Sequence, residues 1–442
     1  MSKTKSLQNA LIPQVVSTAR IHLLGLFALT GLGMSNWLSR LPAIREILHL
    51  SEAELGVLLL AGAGGALFTA TLAGGIMALI GSKKTMHIST AGTVTALVCM
   101  TAAVQFHSVW LLAAGICING AAFSLNNVPF NVETAVIERR MGRTVIPQFH
   151  ASFSIGALAG TLIGAGCAFL NIPVQTQFLT CAALFLIWRL WSVKKTVLDT
   201  HQRVSVVKAG YGKKNKHRDV SSLTQQKGDR QWSTIQAWKE PRTLLIGAVI
   251  LAASLSEGAA NDWLAIAVVD GFNQTQAVGA LIFGVFIGAM TVFRIVGTKL
   301  IDRQGRVKIL RISGASAIVG LLLFGFATWF PLAIVGVAIW GFGAALAYPI
   351  GIAAASEDAK KAAARVAVVS AFASIASLGA PPALGFIANH IGARHALLFI
   401  IAALVVSVLA SGATRETKET NKASEPEIPQ PGEAATSLVK IG

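Results

Sequence analysis

Three carboxylic acids lie within long apolar stretches of the sequence, namely Glu133, Glu257 and Asp262. A charge near the centre of a bilayer costs at least ~3 kcal/mol on insertion scales, so such residues usually face a partner, a water-filled cavity or a pathway. Low-dielectric surroundings make a carboxylic acid hold its proton more tightly, as a proton carrier requires. The pattern therefore predicts proton-coupling residues, with Glu133 as the principal carrier. Glu257 is its rival, because no arginine adjoins it to keep it ionised.

Amide side chains accompany Glu133 on one predicted helix. At ~100° per residue Asn126 and Glu133 nearly coincide around the helix axis, while Asn127 and Asn131 occupy the adjoining face. One side of this helix is therefore predicted to be wet and to line a solute cavity. The alternative is that these polar residues only hold helices together.

A second predicted helix carries Ser254, Glu257 and Asn261 on one face. Asp262 follows them, and it either faces the cavity or is a solvated residue near the outer helix end. Arg294 lies inside another apolar run. It either extends to the membrane surface or pairs with an intramembrane acid, and we favour pairing.

Further polar residues cluster near the start of the chain and at helix ends. Arg40 either binds an anionic group or locks the outer gate against Asp262, and we favour the lock. His150 is interpreted as a helix-end residue or, alternatively, as a proton relay. The full set of candidate cavity residues is Asn36, Trp37, Arg40, Asn126, Asn127, Asn131, His150, Asn261 and Tyr348.

Composition identifies a polytopic membrane protein. Of 442 residues, 54% are hydrophobic and only 13% are charged, and the mean hydropathy is +0.63. All four cysteines lie in apolar runs, which excludes a disulfide framework and zinc-ligand spacing. Neither G-x-x-x-x-G-K-[ST] nor H-E-x-x-H occurs, so ATP-driven pumping and zinc proteolysis lack their motifs. We expect no enzyme activity, no metal and no cofactor.

Twelve apolar runs are long enough to cross the bilayer, which takes about 20 residues each. Six precede and six follow one long polar loop, so we expect an all-α fold with twelve transmembrane helices in two bundles. The predicted spans are 21–43, 53–80, 86–106, 108–137, 147–170, 174–192, 242–269, 275–300, 307–329, 331–355, 364–391 and 395–412.

Lysine and arginine are distributed unequally between alternate loops. With the long central loop and the tail left out, 16 fall on the side of the N-terminus and three on the other side, while Arg294 alone remains within a span. The positive-inside rule then predicts that both termini are cytoplasmic. We expect the protein in the plasma membrane, which is the inner membrane in bacteria. The net charge of +17 lies in these loops, so we expect no nucleic-acid partner.

The two halves repeat at an offset of about 220 residues. Gly81 matches Gly305, Pro129 matches Pro349, and Ser154-Ile155 matches Ser374-Ile375. Parallel repeats of this kind predict spans one, four, seven and ten around a central cavity. Gly156, Gly160 and Gly164 are spaced four apart, which lets helices approach closely. The predicted domains are an N-terminal bundle (1–192), a basic cytoplasmic linker (193–240), a C-terminal bundle (241–414) and a disordered tail (415–442).

The turn after the eighth run resembles a known family. Asp302-Arg303-Gln304-Gly305-Arg306 is similar to the D-R-x-G-R turn of the major facilitator superfamily, and the resemblance extends over nearly the whole chain. Glycine allows the tight turn, while the Asp and Arg side chains cap helix ends and latch the inward gate. The equivalent turn of the first half has Ala78 and Leu79 in place of Asp and Arg.

Three stretches resemble the YbjJ-like branch, relatives of the fucose permeases: SNWLSRLPAIRE (35–46), NNVPFNVETAVIERR with PQFHASFSIG (126–156), and SEGAANDW (256–263). This resemblance implies a secondary transporter of a small, polar or hydroxylated solute, coupled to protons and working as a monomer in the lipid bilayer. It also implies proton coupling at Glu133 and solute binding by the asparagines of the fourth span. The alternatives are a proton-antiport efflux permease for amphipathic compounds and a non-transporting membrane receptor.

Overall fold

Residues 2–141, 145–197, 234–358 and 361–416 are described by the computed structural model. Eleven helical segments among them are long and apolar enough to cross a membrane, and one of these, Glu52–Gln105, has 54 residues. At ~1.5 Å per residue a straight helix of that length measures ~80 Å, against ~30 Å for the hydrocarbon core. Gly81 breaks it with φ 82° and ψ 162°, so it supplies both the second and the third span. The prediction of twelve spans in an all-α membrane fold is confirmed.

The helices of the first half follow the predicted order. The first span is Ser2–Leu38, continued by Leu41–Ile47; the others are Glu52–Gln105 for the second and third spans, Val109–Met141, Ile146–Phe169 and Val174–Thr196.

The second half begins with a short helix, Thr234–Lys239, ahead of the seventh span. The seventh to eleventh spans are Pro241–Phe272, Gln276–Gln304, Arg306–Phe326, Phe330–Ala344 with Ala347–Ala355, and Ala362–Ile391. The twelfth span consists of Ala393–Ala396 and Ile400–Ala410, which the 3-10 turn Leu397–Phe399 joins, and the 3-10 turn Ser411–Thr414 follows it. Most of the predicted linker and tail lies outside the described residues.

The sixth span corrects the expectation that Arg294 is the only arginine within a span. This helix runs to Thr196, and Arg189 lies inside it with only 1% of its surface exposed. Apolar and aromatic residues flank Arg189 on both sides, as in LFLIWRLW, so the helix continues through the charge. Arg189 therefore belongs to the interior of the first bundle and not to the linker.

Equivalent turns of the two halves share one backbone conformation. Gly305, between the eighth and ninth spans, has φ 79° and ψ 156°, close to the values at Gly81. Positive φ favours glycine, which explains the residue type at both turns. The offset of 224 residues also relates His49 to Asn273, which are both left-handed, and Ser51 to Thr275, which both cap a helix through the side-chain oxygen. These local matches agree with the predicted repeat.

Small residues bring the first and fifth spans together. An ideal Cβ would lie 1.8 Å from the carbonyl oxygen of Ala28 at Gly156, 2.4 Å from that of Leu32 at Gly160, and 1.9 Å from Oγ of Ser39, just after the first span, at Gly164. No larger side chain fits this contact, so the spacing of four residues sets the distance between the two helices, as predicted.

Candidate functional site

A cavity of about 240 Å³ lies between the two bundles. It is smaller than most ligand pockets, which span ~300–1,000 Å³, so it suits a small solute. The first, second, third, fourth and sixth spans line it from one half, and the seventh and eleventh from the other. No residue of the tenth span, which was also expected to line the cavity, is among the lining residues. The span is broken between Ala344 and Ala347; its first part packs against the eighth and ninth spans, and its second part packs mainly against the seventh. The polar lining residues include Ser89, Thr93, Asn119, Asn126, Arg189, Ser254, Asn261, Asp262 and Ser377.

Arg189 contributes a positive charge to this cavity from the sixth span. Its Nη2 donates a hydrogen bond to Oδ1 of Asn126, and its guanidinium lies 5.2 Å from the ring centre of Phe185 and 5.7 Å from that of Phe130. Its Nε has no hydrogen-bond partner, and no carboxylate of the described residues contacts it. The sequence analysis missed Arg189 because it was counted with the basic linker. The apolar residues on both sides were the available signal.

Asp262 contributes the opposite charge from the seventh span, next to Asn261. It makes no hydrogen bond or ion pair with any described residue. The interpretation of Asp262 as a residue facing the cavity agrees with this position. The described lining therefore combines one cation from the first half with one carboxylate from the second.

Glu257 lies beside Arg294 and not among the residues that line the cavity. The Nη2 of Arg294 is 2.9 Å from Oε2 of Glu257, and the Nε of Arg294 donates to the carbonyl of Ala345 at 3.2 Å. The predicted pairing of Arg294 with an intramembrane acid is confirmed. The premise that Glu257 has no arginine nearby is wrong, because the eighth span runs antiparallel to the seventh and brings Arg294 to it. Tyr348 is 38% exposed and lies within range of an electrostatic interaction with Glu257.

The fourth span divides its polar residues between two faces. Asn126 and Glu133 are buried, while Asn127 and Asn131 are exposed and joined by a hydrogen bond of 2.9 Å from Nδ2 of Asn131 to the carbonyl of Asn127. Of these four residues, Asn126 alone lines the cavity. The predicted polar face that lines the cavity is therefore represented by Asn126, and Asn127 and Asn131 lie outside the lining. Glu133 is fully buried away from that pair.

Arg40 does not lock the gate against Asp262. Its Nη2 donates to the carbonyl of Ile172 at 3.0 Å, just ahead of the sixth span, and no ion pair joins it to Asp262 among the described residues. Arg40 has only 5% of its surface exposed, because it lies within the first bundle. The lock between the bundles uses another arginine, Arg45, which lies 2.7 Å from Asp270.

The remaining candidates of the first bundle have separate surroundings. Trp37 lines the cavity. Asn36 is fully buried, and its Oδ1 accepts a hydrogen bond from Nε2 of Gln177 at 2.8 Å. His150 is exposed at the start of the fifth span, and its ring centre lies 5.8 Å from that of Phe27 in an edge-to-face arrangement. Only Trp37 of these three contacts the cavity.

The bundles make close contact at the end where the first span leads into the second and the seventh into the eighth. Arg45 contacts both Glu52 of its own half and Asp270 of the other half, and Gln276 donates to Glu46 at 2.8 Å. These contacts close one end of the cavity.

Backbone contact between the second and eleventh spans reinforces this closure. An ideal Cβ at Gly56 would lie 2.5 Å from the carbonyl oxygen of Pro381, and one at Gly385 would lie 2.5 Å from that of Glu52. Such distances leave no room for any side chain, so glycine is required at both positions in this state.

The opposite end carries the turn with the D-R-x-G-R pattern. Asp302 and Arg303 are exposed, and Gly305 forms the turn. Arg306 lies 3.7 Å from Glu357 and 3.4 Å from Glu416, both of its own half. Among the described residues, the turn therefore makes no ion pair with the other bundle in this state.

We expect Arg45→Gln to favour opening at the Arg45 end, because it removes the ion pair between the bundles. The pair is partly exposed, so the expected effect is ~0.2–1 kcal/mol, or roughly a 1.5- to 5-fold shift in the open population. Distances between spin labels on the two bundles at this end measure that shift.

Two controls make the result specific. Asp270→Asn is expected to give the same shift, and the double variant should add little to either single change. Lys299→Gln removes the same charge from an exposed position and should leave the distances unchanged. Additive effects of Arg45→Gln and Asp270→Asn would contradict a direct pair.

Comparison with known proteins agrees with this architecture. Residues 23–366 and 264–440 match the family model of the Major Facilitator Superfamily. An uncharacterised transporter, y4wD of Sinorhizobium fredii, is 28% identical over 396 residues, which are 87% of this chain and 94% of that protein. The crystal structure of the nucleoside transporter NupG has a TM-score of 0.68 and a sequence identity of 17% to this chain. The crystal structure of FucP in its outward conformation has a TM-score of 0.56 and a sequence identity of 15%. Each alignment covers 90% of this chain and 98% of the other. At such identities the two structures establish the fold alone. Because the family model covers most of the chain, the protein belongs to the Major Facilitator Superfamily.

Proposed function

We propose that this multi-pass secondary transporter moves a small, polar, hydroxylated solute together with protons through the cavity between its bundles. One observation carries the proposal, namely that amide groups from both halves and the carboxylate of Asp262 line the same small cavity. Amides donate and accept hydrogen bonds, so they suit hydroxyl groups. A carboxylate without a protein partner at this depth is typical of a proton or solute pathway.

The coupling acid is assigned to Asp262 ahead of Glu133 and Glu257. Asp262 is the only one of the three acids that lines the cavity, and it forms no ion pair or hydrogen bond with any described residue that would favour one protonation state. Glu257 has Arg294 as a permanent counter-charge in this conformation. Glu133 stays the rival, because it is fully buried within a span that also contributes Asn126 to the cavity.

Alternating access follows from the position of the contacts. With both termini in the cytoplasm of a bacterial cell, the closed Arg45 end faces outward and the protein is open towards the cytoplasm. In the opposite state the turn around Asp302 and Arg306 latches the inner end. A relationship to the fucose permeases is part of this proposal, and it rests on the three sequence stretches given above.

Uptake by proteoliposomes tests the proposed function. A panel of sugars, glycosides and peptidoglycan fragments is offered with and without a pH gradient, acidic on the solute side. We expect at least one hydroxylated solute to accumulate only when the gradient is present. Accumulation that is independent of pH would contradict proton coupling.

The same vesicles distinguish the second candidate function, proton-antiport efflux of amphipathic compounds. The apolar part of the lining, which includes Trp37, Phe123 and Phe185, favours this candidate. Antiport requires accumulation when the pH gradient is reversed, so the direction of the effective gradient separates the two functions. Failure of every solute to move under either gradient would leave the receptor interpretation.

A further inference from the structure

The charge of Arg189 is unusual for its surroundings. The side chain has 1% of its surface exposed, yet its hydrogen bond goes to a neutral amide oxygen and no described carboxylate contacts it. A buried cation without a counter-charge is costly, and membrane proteins keep such residues where a ligand or pathway uses them. Arg189 also lines the cavity, so a bound anion would make the direct contact that no carboxylate of the described residues makes.

We propose that the solute is a small hydroxylated monocarboxylate, bound through its carboxylate by Arg189 and transported with one proton on Asp262. This inference rests on the proposed function and specifies its substrate class. The phenyl rings of Phe185 and Phe130 lie within 5.7 Å of the guanidinium, and Asn126 accepts a hydrogen bond from one of its nitrogens. A guanidinium held in this way still has free N–H donors for a carboxylate.

The rest of the lining suits the rest of such a molecule. Asn119 and Asn261 present amides, and Thr93 and Ser254 present hydroxyl groups, so both halves of the protein offer partners to hydroxyls of the solute. Trp37 supplies an apolar wall for a carbon skeleton or a sugar ring. The volume of about 240 Å³ suits a small acid.

Charge balance in the cavity sets the stoichiometry. The empty carrier holds Arg189 positive and Asp262 negative, which sum to zero. A monoanion bound at Arg189 and a proton bound at Asp262 also sum to zero, whereas either ligand alone leaves one net charge. A net charge is expensive in a closed, low-dielectric cavity, so the carrier changes state either empty or with both ligands. Transport is therefore obligatorily coupled, one proton for each monoanion, and electroneutral.

The proton step changes no bond of the solute. A proton from water on the uptake side binds a carboxylate oxygen of Asp262, and the same proton returns to water on the other side. Several other ionisable groups on elements around the seventh span have partners away from the cavity: Arg294 and Tyr348 lie with Glu257, Arg45 with Asp270, Arg242 with Glu357, Arg365 with Glu240, Arg394 with the carbonyl of Phe324, and His390 with that of Phe386. Lys239, Lys299 and His395 are exposed and do not line the cavity. Arg189 and Asp262 are the two charged residues among the described residues that line the cavity.

Binding to the purified full-length protein tests the solute class. D-Gluconate, D-glucuronate and D-galacturonate are compared with D-glucose, D-galactose and the methyl esters of the acids, by calorimetry. We expect at least one acid to bind about tenfold or more tightly than its uncharged counterpart. Arg189→Gln should remove that preference, Arg189→Lys should restore part of it, and Lys194→Gln, an exposed charge on the same helix, should not change it. Equal binding of acid and uncharged counterpart, or binding of no acid, overturns the assignment.

Transport by proteoliposomes tests the stoichiometry. Uptake of the bound acid should follow the pH gradient, and a potential set by valinomycin and potassium should change its rate less than about twofold. Uptake driven by the potential overturns electroneutral coupling. If uncharged sugars accumulate on a pH gradient and Arg189→Gln has no effect, this inference fails and the proposed function stands. If an acid binds through Arg189 but no solute responds to the pH gradient, the proposed proton coupling fails instead.

Discussion

Replacing Asp262 by asparagine is expected to abolish accumulation driven by a pH gradient while solute exchange across the membrane continues. Asparagine has the same shape as a protonated aspartic acid, but it cannot release a proton. A gradient of one pH unit is worth ~1.4 kcal/mol per proton, which is tenfold in the concentration ratio of the solute. The ratio should therefore fall from about ten in the wild type to about one in Asp262→Asn.

Exchange survives for an electrostatic reason. With asparagine at position 262, the loaded cavity still combines Arg189 with a monoanion and has no net charge, so the loaded carrier can change state. The empty cavity keeps the charge of Arg189 alone, which hinders its return. Counterflow of labelled against unlabelled solute measures the first step, and net uptake measures the second.

Glu133→Gln provides the decisive comparison, because the sequence alone favoured Glu133. This residue is fully buried and does not line the cavity, so we expect its variant to retain accumulation on the pH gradient. If Glu133→Gln loses accumulation and keeps exchange while Asp262→Asn accumulates normally, the coupling role belongs to Glu133. Expression and thermal stability of both variants are checked first, since a misfolded carrier loses both activities.

Gly56→Val is expected to prevent closure at the Arg45 end. A Cβ at Gly56 would lie 2.5 Å from the carbonyl oxygen of Pro381, which is a backbone atom and cannot rotate away. Overpacking of this kind costs ~1–3 kcal/mol, which changes the ratio of closed to open carriers by roughly 5- to 150-fold. Distances between spin labels on the second and eleventh spans should lengthen, and the transport rate should fall in proportion to the closed population.

Gly64→Val is the matched control for Gly56→Val. It adds the same side chain to the same helix at a position where no atom lies within 4 Å of an added Cβ. We expect wild-type distances and transport. If the Arg45 end still closes in Gly56→Val, the second and eleventh spans accommodate the added side chain at little energetic cost. The contact at Pro381 would then not control the gate.

Local patterns predicted the spans and the repeat because their causes are local. Hydropathy over about 20 residues identifies a span, and the positive φ at Gly81 and Gly305 follows from the residue type that each turn needs. The spacing of Gly156, Gly160 and Gly164 likewise predicted a close helix contact. These features require no knowledge of which helices are neighbours.

The composition of the site depends on neighbours, and there the sequence was less informative. Glu257 and Arg294 are 37 positions apart and meet only because their spans are antiparallel. Arg40 was expected to reach Asp262, but its guanidinium donates to the carbonyl of Ile172, within its own bundle. Arg189 was missed because a charge near the end of an apolar run looks the same whether the helix stops before it or continues.

The junction at Gly81 restricts how the first bundle can move. A single non-helical residue joins the second and third spans, and one residue extends the chain by only ~3.8 Å. The two spans therefore have no slack between them, and the third must tilt whenever the second rocks away from Pro381. A fluorophore on the outer surface of the third span would thus report each opening and closing at the Arg45 end. It would do so without disturbing the contact between the second and eleventh spans.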